Sequence, residues 1–91
     1  PFTGVILFEI NTKSSNTEKL KGIGVLDISP NSNAFLEGLR LHDIITHIND
    51  KPVTHLFSRA TFENLEGEFI KVTINRNGHT RFLAMRRTYN E

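Results

Sequence analysis

The sequence lacks cysteine, long apolar runs and any marked excess of charge of one sign. Without cysteine, neither a disulfide nor a thiol-based active site can form. The longest apolar stretch, residues 5–8, is far shorter than the about 20 residues that a membrane-spanning helix needs. Eleven basic and ten acidic residues give a net charge of +1, which is no signature of nucleic-acid binding or membrane binding.

What the chain does contain is enough apolar material for one small core. Its 91 residues are 37% hydrophobic and include seven Phe, so we predict one domain that spans residues 1–91. The sequence begins Pro1-Phe2, with neither an initiator Met nor a signal peptide. We therefore expect a piece of a longer protein, whose targeting segment would lie outside this sequence.

The pattern of apolar and turn-forming residues predicts the element order β, β, short α, β, α, β, β. The predicted strands cover 4–10, 22–28, 43–48, 52–53 and the two arms of a hairpin over 68–86, and the predicted helices lie within 29–39 and 55–67. Residues 4–10 are apolar enough to be covered on both faces, whereas the polar residues 11–21 are typical of a loop. This order predicts an α+β domain, most simply a partly open barrel capped by helices.

Four local signals support these elements. Ser32 can cap the short helix, and Gly38 suits the left-handed residue after its end. Asn77-Gly78 is typical of a tight hairpin turn. In the strand before that turn, alternation predicts an inward face and an outward face, the first formed by Ile70, Val72 and Ile74 and the second by Lys71 and Thr73.

Catalytic and metal sites have little support. His42, Asp43 and His47 lie close together in sequence, but no Ser occupies a strained nucleophile turn, and Asp43 is better explained as an acceptor for loop amides. His42 and His47 would point to opposite faces of a strand, and His55 and His79 lie in other segments. Paired carboxylates among Glu63, Glu66 and Glu68 are typical of a solvated helix end. We therefore predict no catalytic residue, no metal site and no cofactor.

Basic residues cluster towards the end of the sequence. Lys71, Arg76, Arg81, Arg86 and Arg87 are opposed there only by Glu91. On alternating strands they could form a stripe that meets an acidic partner or phosphates, but no aromatic platform for single strands accompanies them. A polar sheet edge that resists aggregation explains the cluster more simply, so no nucleic-acid partner is predicted.

The opening residues offer a different kind of site. A glycine leads directly into an apolar strand, and amides in a glycine turn can converge on a carboxylate. If this strand lies at a sheet edge beside the helix over residues 56–65, an extended peptide could add to it as one more strand. The alternative is a core strand preceded by an ordinary turn, and the residues alone leave both interpretations open.

Residues 29–53, "SPNSNAFLEGLRLHDIITHINDKPV", resemble the PDZ domains of bacterial HtrA/Deg serine proteases. "KGIGVLDI" (21–28) resembles the strand before this motif, "VTINRNGHTRFLAMR" (72–86) resembles the closing hairpin, and "FTGV" (2–5) occupies the place of the carboxylate-binding loop. The resemblance implies a PDZ-like partly open barrel or sandwich of five to six strands capped by two helices. In this family Leu39, Leu41, Ile44, Ile45 and Ile48 would feed the core.

The resemblance also implies the site residues. The amides of Thr3, Gly4 and Val5 would bind a peptide carboxylate, and the peptide groove would be lined by Phe2, Ile6, Leu7, Leu56, Arg59, Phe62 and Glu63. Arg59 and Glu63 are charged where the family usually has hydrophobic residues. His42 and Asp50 replace glycines of the family pattern, at positions that favour left-handed backbone.

The family relationship further implies a non-catalytic module whose protease triad lies in a preceding domain. The short segment over 11–21 is most similar to the second, C-terminal PDZ domain of two-PDZ Do-type proteases. Such a module would bind extended segments or C-termini of unfolded proteins in periplasmic quality control, without inserting into a membrane. It would also pack against neighbouring protease or PDZ domains in an oligomer. The alternatives are a purely structural assembly domain without a working groove, or a PDZ domain of another protease or secretion protein.

Overall fold

The computed structural model describes residues 2–13, 19–53, 55 and 65–87. They form six strands and one short helix, in the order β1 (Val5–Lys13), β2 (Lys19–Ile28), α1 (Asn33–Leu36), β3 (Ile44–Ile48), β4 (Lys51–Pro52), β5 (Phe69–Arg76) and β6 (His79–Arg86). The predicted order of the strands and of the first helix is therefore confirmed. The predicted second helix falls mainly on residues 56–64, outside the described residues.

All six strands belong to one antiparallel sheet, with the order β1-β2-β3-β5-β6 and with β4 paired to β3. The sheet does not close, since within the described residues β1 and β6 are not paired to each other. This agrees with the predicted partly open, α+β architecture. The capping by two helices is not confirmed, because the described part of the chain contains α1 alone.

The first hairpin is longer than predicted. Residues 11–21 were expected to form a loop, but β1 and β2 remain paired from Asn11 opposite Lys21 to Lys13 opposite Lys19. The prediction was wrong at both ends of this segment because backbone pairing can continue beyond the apolar part of a strand. The apolar pattern therefore underestimates the length of both strands.

The core lies on one face of the sheet. It consists of ten buried apolar residues: Ile23, Val25, Ala34, Leu39, Ile45, Ile48, Ile70, Val72, Ile74 and Met85. Leu39, Ile45 and Ile48 are buried as predicted, and Ile44 is half-buried. The prediction for Leu41 was wrong: its side chain is 46% exposed, because it lies in the turn between α1 and β3.

The closing hairpin matches the prediction apart from one residue. Asn77 and Gly78 both have positive φ angles, +53° and +83°, as the tight turn requires. Ile70, Val72 and Ile74 are buried, and Lys71 is exposed. Thr73 is buried although it faces away from the three apolar residues, because its strand neighbours are His47 of β3 and Phe82 of β6.

Helix α1 and the loop after it are shaped by short-range hydrogen bonds. The Phe35 amide donates to Ser32 Oγ at 3.2 Å, which confirms Ser32 as the N-cap. Gly38 has φ = +115°, as predicted for the residue that follows the helix. His42 and Asp50, which stand where the pattern of the resembled family has glycine, also have left-handed backbone, with φ = +70° and +66°.

A buried ion pair connects this loop to β5. Asp43 accepts from the Arg40 amide at 2.8 Å, as predicted, and it also receives Arg76 Nε at 2.8 Å and Arg76 Nη2 at 2.7 Å. The same Nη2 donates to the Gly38 carbonyl at 2.8 Å. The hydrogen bond to Asp43 raises the pKa of Arg76 above its usual value, so the guanidinium stays charged. Arg76 is therefore not part of the predicted surface stripe of basic residues.

Candidate functional site

The candidate site is the free edge of β1. Among the described strands, β1 pairs with β2 alone, so the other edge of this strand is not used within the sheet. An edge strand presents a row of backbone donors and acceptors that another extended chain can use. Strand addition to β1 requires that β1 lies at a sheet edge, and in the described part of the structure it does.

The turn before β1 is held in a defined conformation. The Val5 amide donates to the Phe2 carbonyl at 3.1 Å, and Gly4 has φ = +81°, a conformation that L side chains rarely adopt. The Gly4 carbonyl accepts from the Ser29 amide at 2.9 Å. A Cβ at Gly4 would lie 3.0 Å from Ser32 Cβ, so the turn packs closely against the residues that start α1.

The three predicted carboxylate donors are not equivalent in this turn. Val5 already donates its amide to Phe2, at 3.1 Å. Thr3 and Gly4 are both exposed, and within the described residues no hydrogen bond from their amides is formed. Thr3 and Gly4 are therefore the better placed of the three for an incoming anion.

The two faces of β1 differ in burial. Val5 and Leu7 pack against the core from one face, whereas Ile6 and Phe8 on the other face are 54% and 42% exposed. The strand is thus not covered on both faces by the described residues, contrary to the prediction. The predicted groove residues Ile6 and Leu7 point to opposite faces, so they do not line the same wall. Phe2, the third of them, packs against the core.

The core-side face of β1 meets the start of the segment predicted as the second helix. Glu9 follows Val5 and Leu7 on this face, and its Oε1 lies 3.8 Å from Nδ1 of His55. Both side chains are well exposed, so this contact contributes little to the stability of the domain. It does show that His55 lies beside β1. At the other end of the segment, Leu65 packs against the core. The remaining predicted groove residues, Leu56, Arg59, Phe62 and Glu63, lie outside the described residues.

The described part of the structure contains no metal-binding cluster. No group of three or more His, Asp or Glu side chains there could hold a metal ion. His47 Nδ1 is 2.9 Å from the hydroxyl of its neighbour Thr46, which in turn donates to the Thr73 carbonyl at 3.3 Å. None of the helices in the described ranges is both long enough and apolar enough to cross a membrane.

Sequence reasoning missed two features of the structure. One is the pairing of Arg76 with Asp43, which strand alternation could have indicated, since Arg76 follows Ile70, Val72 and Ile74 at intervals of two. The other is a shallow cavity of about 600 Å³ on the β5–β6 hairpin, lined in part by two exposed Phe side chains. Two Phe residues at distant positions in the sequence gave no signal for it.

The fold is similar to a solved structure, the crystal structure of the HtrA3 PDZ domain bound to a phage-derived ligand (FGRWV). The two have a TM-score of 0.71 and 20% sequence identity, over 91% of this chain and 80% of that chain. No family model and no curated protein matches the sequence. Because the sequence identity is only 20%, the structural similarity establishes the fold alone. The chain has a PDZ fold.

Proposed function

We propose that this PDZ-fold domain is a peptide-binding module that captures extended or C-terminal segments of other polypeptides by strand addition to β1. The observation that carries the proposal is that the edge of β1 away from β2 pairs with no other described strand and directly follows a turn with Gly4 at φ = +81°. The same segment thus supplies an available strand edge and, next to it, two amides that can meet an anion. The similar HtrA3 PDZ domain was crystallised with a peptide ligand, which is in keeping with this proposal.

In the proposed complex, the ligand runs antiparallel to β1 with its terminal carboxylate at Thr3 and Gly4. Its last side chain would lie near Val5 and Leu7, which border the core. An apolar last residue suits this environment because its burial removes apolar surface from water. We expect affinities in the micromolar range, since a short ligand must be ordered on binding and buries little area.

The wider context is proposed from the sequence motifs over residues 29–53 together with the similarity to an HtrA PDZ domain. The domain would belong to a periplasmic HtrA/Deg-type serine protease, most like its second PDZ domain. There it would deliver unfolded proteins to a catalytic domain that supplies the protease triad. The domain itself would carry out no chemical step.

A pair of peptides tests the binding mode directly. Both end in the same apolar residue, one with a free carboxylate and the other with a carboxamide, and calorimetry gives each dissociation constant. Loss of a charge-assisted contact with Thr3 and Gly4 should weaken the amidated peptide by about tenfold or more. Equal affinities for the two peptides would exclude the proposed carboxylate contact.

A second candidate function is assembly, with the groove unused. One observation favours it: the Val5 amide, the third predicted carboxylate donor, is engaged with Phe2 inside the turn. In this case the domain would hold neighbouring protease or PDZ domains together. The particle size of the longer protein, measured by light scattering with and without this domain, distinguishes the two functions. An unchanged particle size would count against assembly.

A further inference from the structure

The turn between β5 and β6 contains the only asparagine in the sequence that is followed by glycine, Asn77-Gly78. Both residues are exposed. A side chain on the second residue would hinder the approach of its backbone nitrogen to the asparagine side chain, and glycine has none. In the described part of the chain, no atom beyond the neighbouring residues lies within 4 Å of the place that a Cβ at Gly78 would take. Asn77 is therefore followed by an unhindered backbone nitrogen.

This arrangement permits a reaction that consumes nothing but water. Asparagine is a chemically labile residue. The Gly78 nitrogen forms a bond to Cγ of Asn77, the bond between Cγ and Nδ2 breaks, and ammonia leaves with the proton of the Gly78 amide. The product is a cyclic succinimide. Water then opens the ring: cleavage between the Gly78 nitrogen and Cγ gives aspartate, and cleavage between that nitrogen and the main-chain carbonyl carbon gives isoaspartate.

A hydrogen bond restrains the attacking nitrogen. The Gly78 amide donates to Oδ1 of Asn75 at 3.0 Å. This bond holds the proton that the nitrogen must lose and keeps the amide oriented towards Asn75. Asn75 is half-buried and pairs with Thr80 of β6, so the acceptor is fixed in the sheet. Because the bond lies in an exposed turn, its local opening requires little free energy, so the reaction is slowed but not prevented.

Asn49 offers a comparison within the same fold, because it also has a positive φ angle, +50°. It is followed by Asp50, whose side chain hinders the backbone nitrogen. Oδ1 of Asn49 accepts from the Lys71 amide at 2.8 Å, which holds its side chain in place. Neither restraint applies to Asn77, since Gly78 has no side chain and, within the described residues, the Asn77 side chain forms no hydrogen bond. The structure thus distinguishes Asn77 from Asn49.

We propose that Asn77 is a modification site, which converts spontaneously to aspartate and isoaspartate by attack of the Gly78 nitrogen. Asn75 is a positioning residue, because the hydrogen bond that it accepts from the Gly78 amide sets the rate of this conversion. The inference is independent of the proposed peptide site, since it involves neither Thr3 nor Gly4.

The two products differ in their effect on the hairpin. Asp-Gly suits the same tight turn as Asn-Gly, so aspartate keeps Arg76 paired with His79. Isoaspartate lengthens the backbone of the turn and displaces the residues on either side. Arg76, directly before Asn77, donates to Asp43 through two nitrogens. Displacement of Arg76 weakens this buried pair, so isoaspartate at position 77 destabilises the domain.

Storage of the full chain at neutral pH, followed by peptide mapping with mass spectrometry, tests the site. The mass gain of deamidation should appear at Asn77 before it appears at any other asparagine. Asn77→Gly is the control, because Gly-Gly also suits the turn. It should abolish this early mass gain, and its amide spectrum shows that the chain is folded.

Variants of Asn75 test the restraint. Asn75→Ala removes the acceptor, and the rate at Asn77 should rise by about fivefold, the factor that corresponds to one typical hydrogen bond. Asn75→Asp keeps an acceptor for the Gly78 amide, so the rate should not rise. Thr80→Ala changes the strand partner of Asn75 without removing this acceptor, and it should also leave the rate unchanged.

The isoaspartate product, separated from the aspartate product by chromatography, tests the consequence for the hairpin. In urea denaturation it should unfold at a lower urea concentration than Asn77→Asp, which keeps the turn. Four results would overturn the proposal. They are an earlier mass gain at another asparagine, an unchanged rate in Asn75→Ala, an equal acceleration in Asn75→Asp, and an isoaspartate product as stable as Asn77→Asp.

Discussion

At the scale of single residues, local backbone strain is concentrated in turns. Four non-glycine residues of the described part have positive φ angles: His42, Asn49, Asp50 and Asn77. Asn and Asp tolerate this conformation because their short polar side chains can form local hydrogen bonds. The Asn49 side chain also makes a long-range contact, because its Oδ1 accepts from the Lys71 amide of β5 at 2.8 Å. The backbone strain at His42 is compensated less, because the His42 side chain is exposed in the turn before β3.

Replacing His42 by glycine should therefore stabilise the domain. His42→Gly relieves the left-handed strain and keeps the His42 amide bond to the Val25 carbonyl, 3.1 Å long. After the entropic cost of glycine in the unfolded chain, we expect the free energy of unfolding to rise by about 0.5 kcal/mol, measured by urea denaturation. Thr80→Gly, an exposed strand residue with ordinary φ, should lower it by about 1 kcal/mol. A loss of stability in His42→Gly as large as in this control would contradict the account.

At the scale of secondary-structure elements, the ion pair between Asp43 and Arg76 joins the loop before β3 to the end of β5. Asp43 is buried, and the side chain of Arg76 is 27% exposed. The carboxylate has three short donors: two nitrogens of Arg76 and the Arg40 amide. Arg76 also fixes the Gly38 carbonyl. A single side chain thus connects the end of the α1 region, the loop and the hairpin.

Removal of this arginine should be costly. Arg76→Met keeps the apolar part of the side chain but leaves Asp43 buried without its cation, which should lower the free energy of unfolding by about 3 kcal/mol. Lys71→Met is the matched control, because the pair between Lys71 and Asp50 is exposed. It should change stability by about 0.5 kcal/mol or less. Similar losses in the two variants would show that burial does not determine the importance of the pair between Arg76 and Asp43.

At the scale of the whole molecule, the strand order β1-β2-β3-β5-β6 ends at two different strands in the described part of the chain. The β1 end adjoins the Gly4 turn, and the β6 end carries the exposed side chain of Phe82. The Gly4 turn packs against Ser29 and Ser32, which belong to the motif that resembles the HtrA/Deg pattern. The same motif therefore supports both the fold and the position of the candidate site.

Much of the fold could be predicted from the sequence because its signals are local. Alternating Ile70, Val72 and Ile74 and the Asn77-Gly78 turn specify the closing hairpin, and Ser32 and Gly38 delimit α1. Contacts between distant residues could not be predicted in this way. The burial of Thr73 depends on neighbours in two other strands, and Arg76 meets Asp43 across 33 positions of sequence. For the site, the sequence indicated the Gly4 turn, but the edge position of β1 required the sheet order.

The central claim is that an extended peptide adds to β1 with its carboxylate at Thr3 and Gly4. The most direct test is an NMR titration of the isotope-labelled chain with a short peptide that has an apolar last residue and a free carboxylate. The account predicts that amide shifts are largest at Thr3 and Gly4 and continue along β1 to Glu9. The amidated peptide should lose the shifts at the turn. Shifts confined to other strands, or no shifts at millimolar peptide, would contradict a working groove at β1.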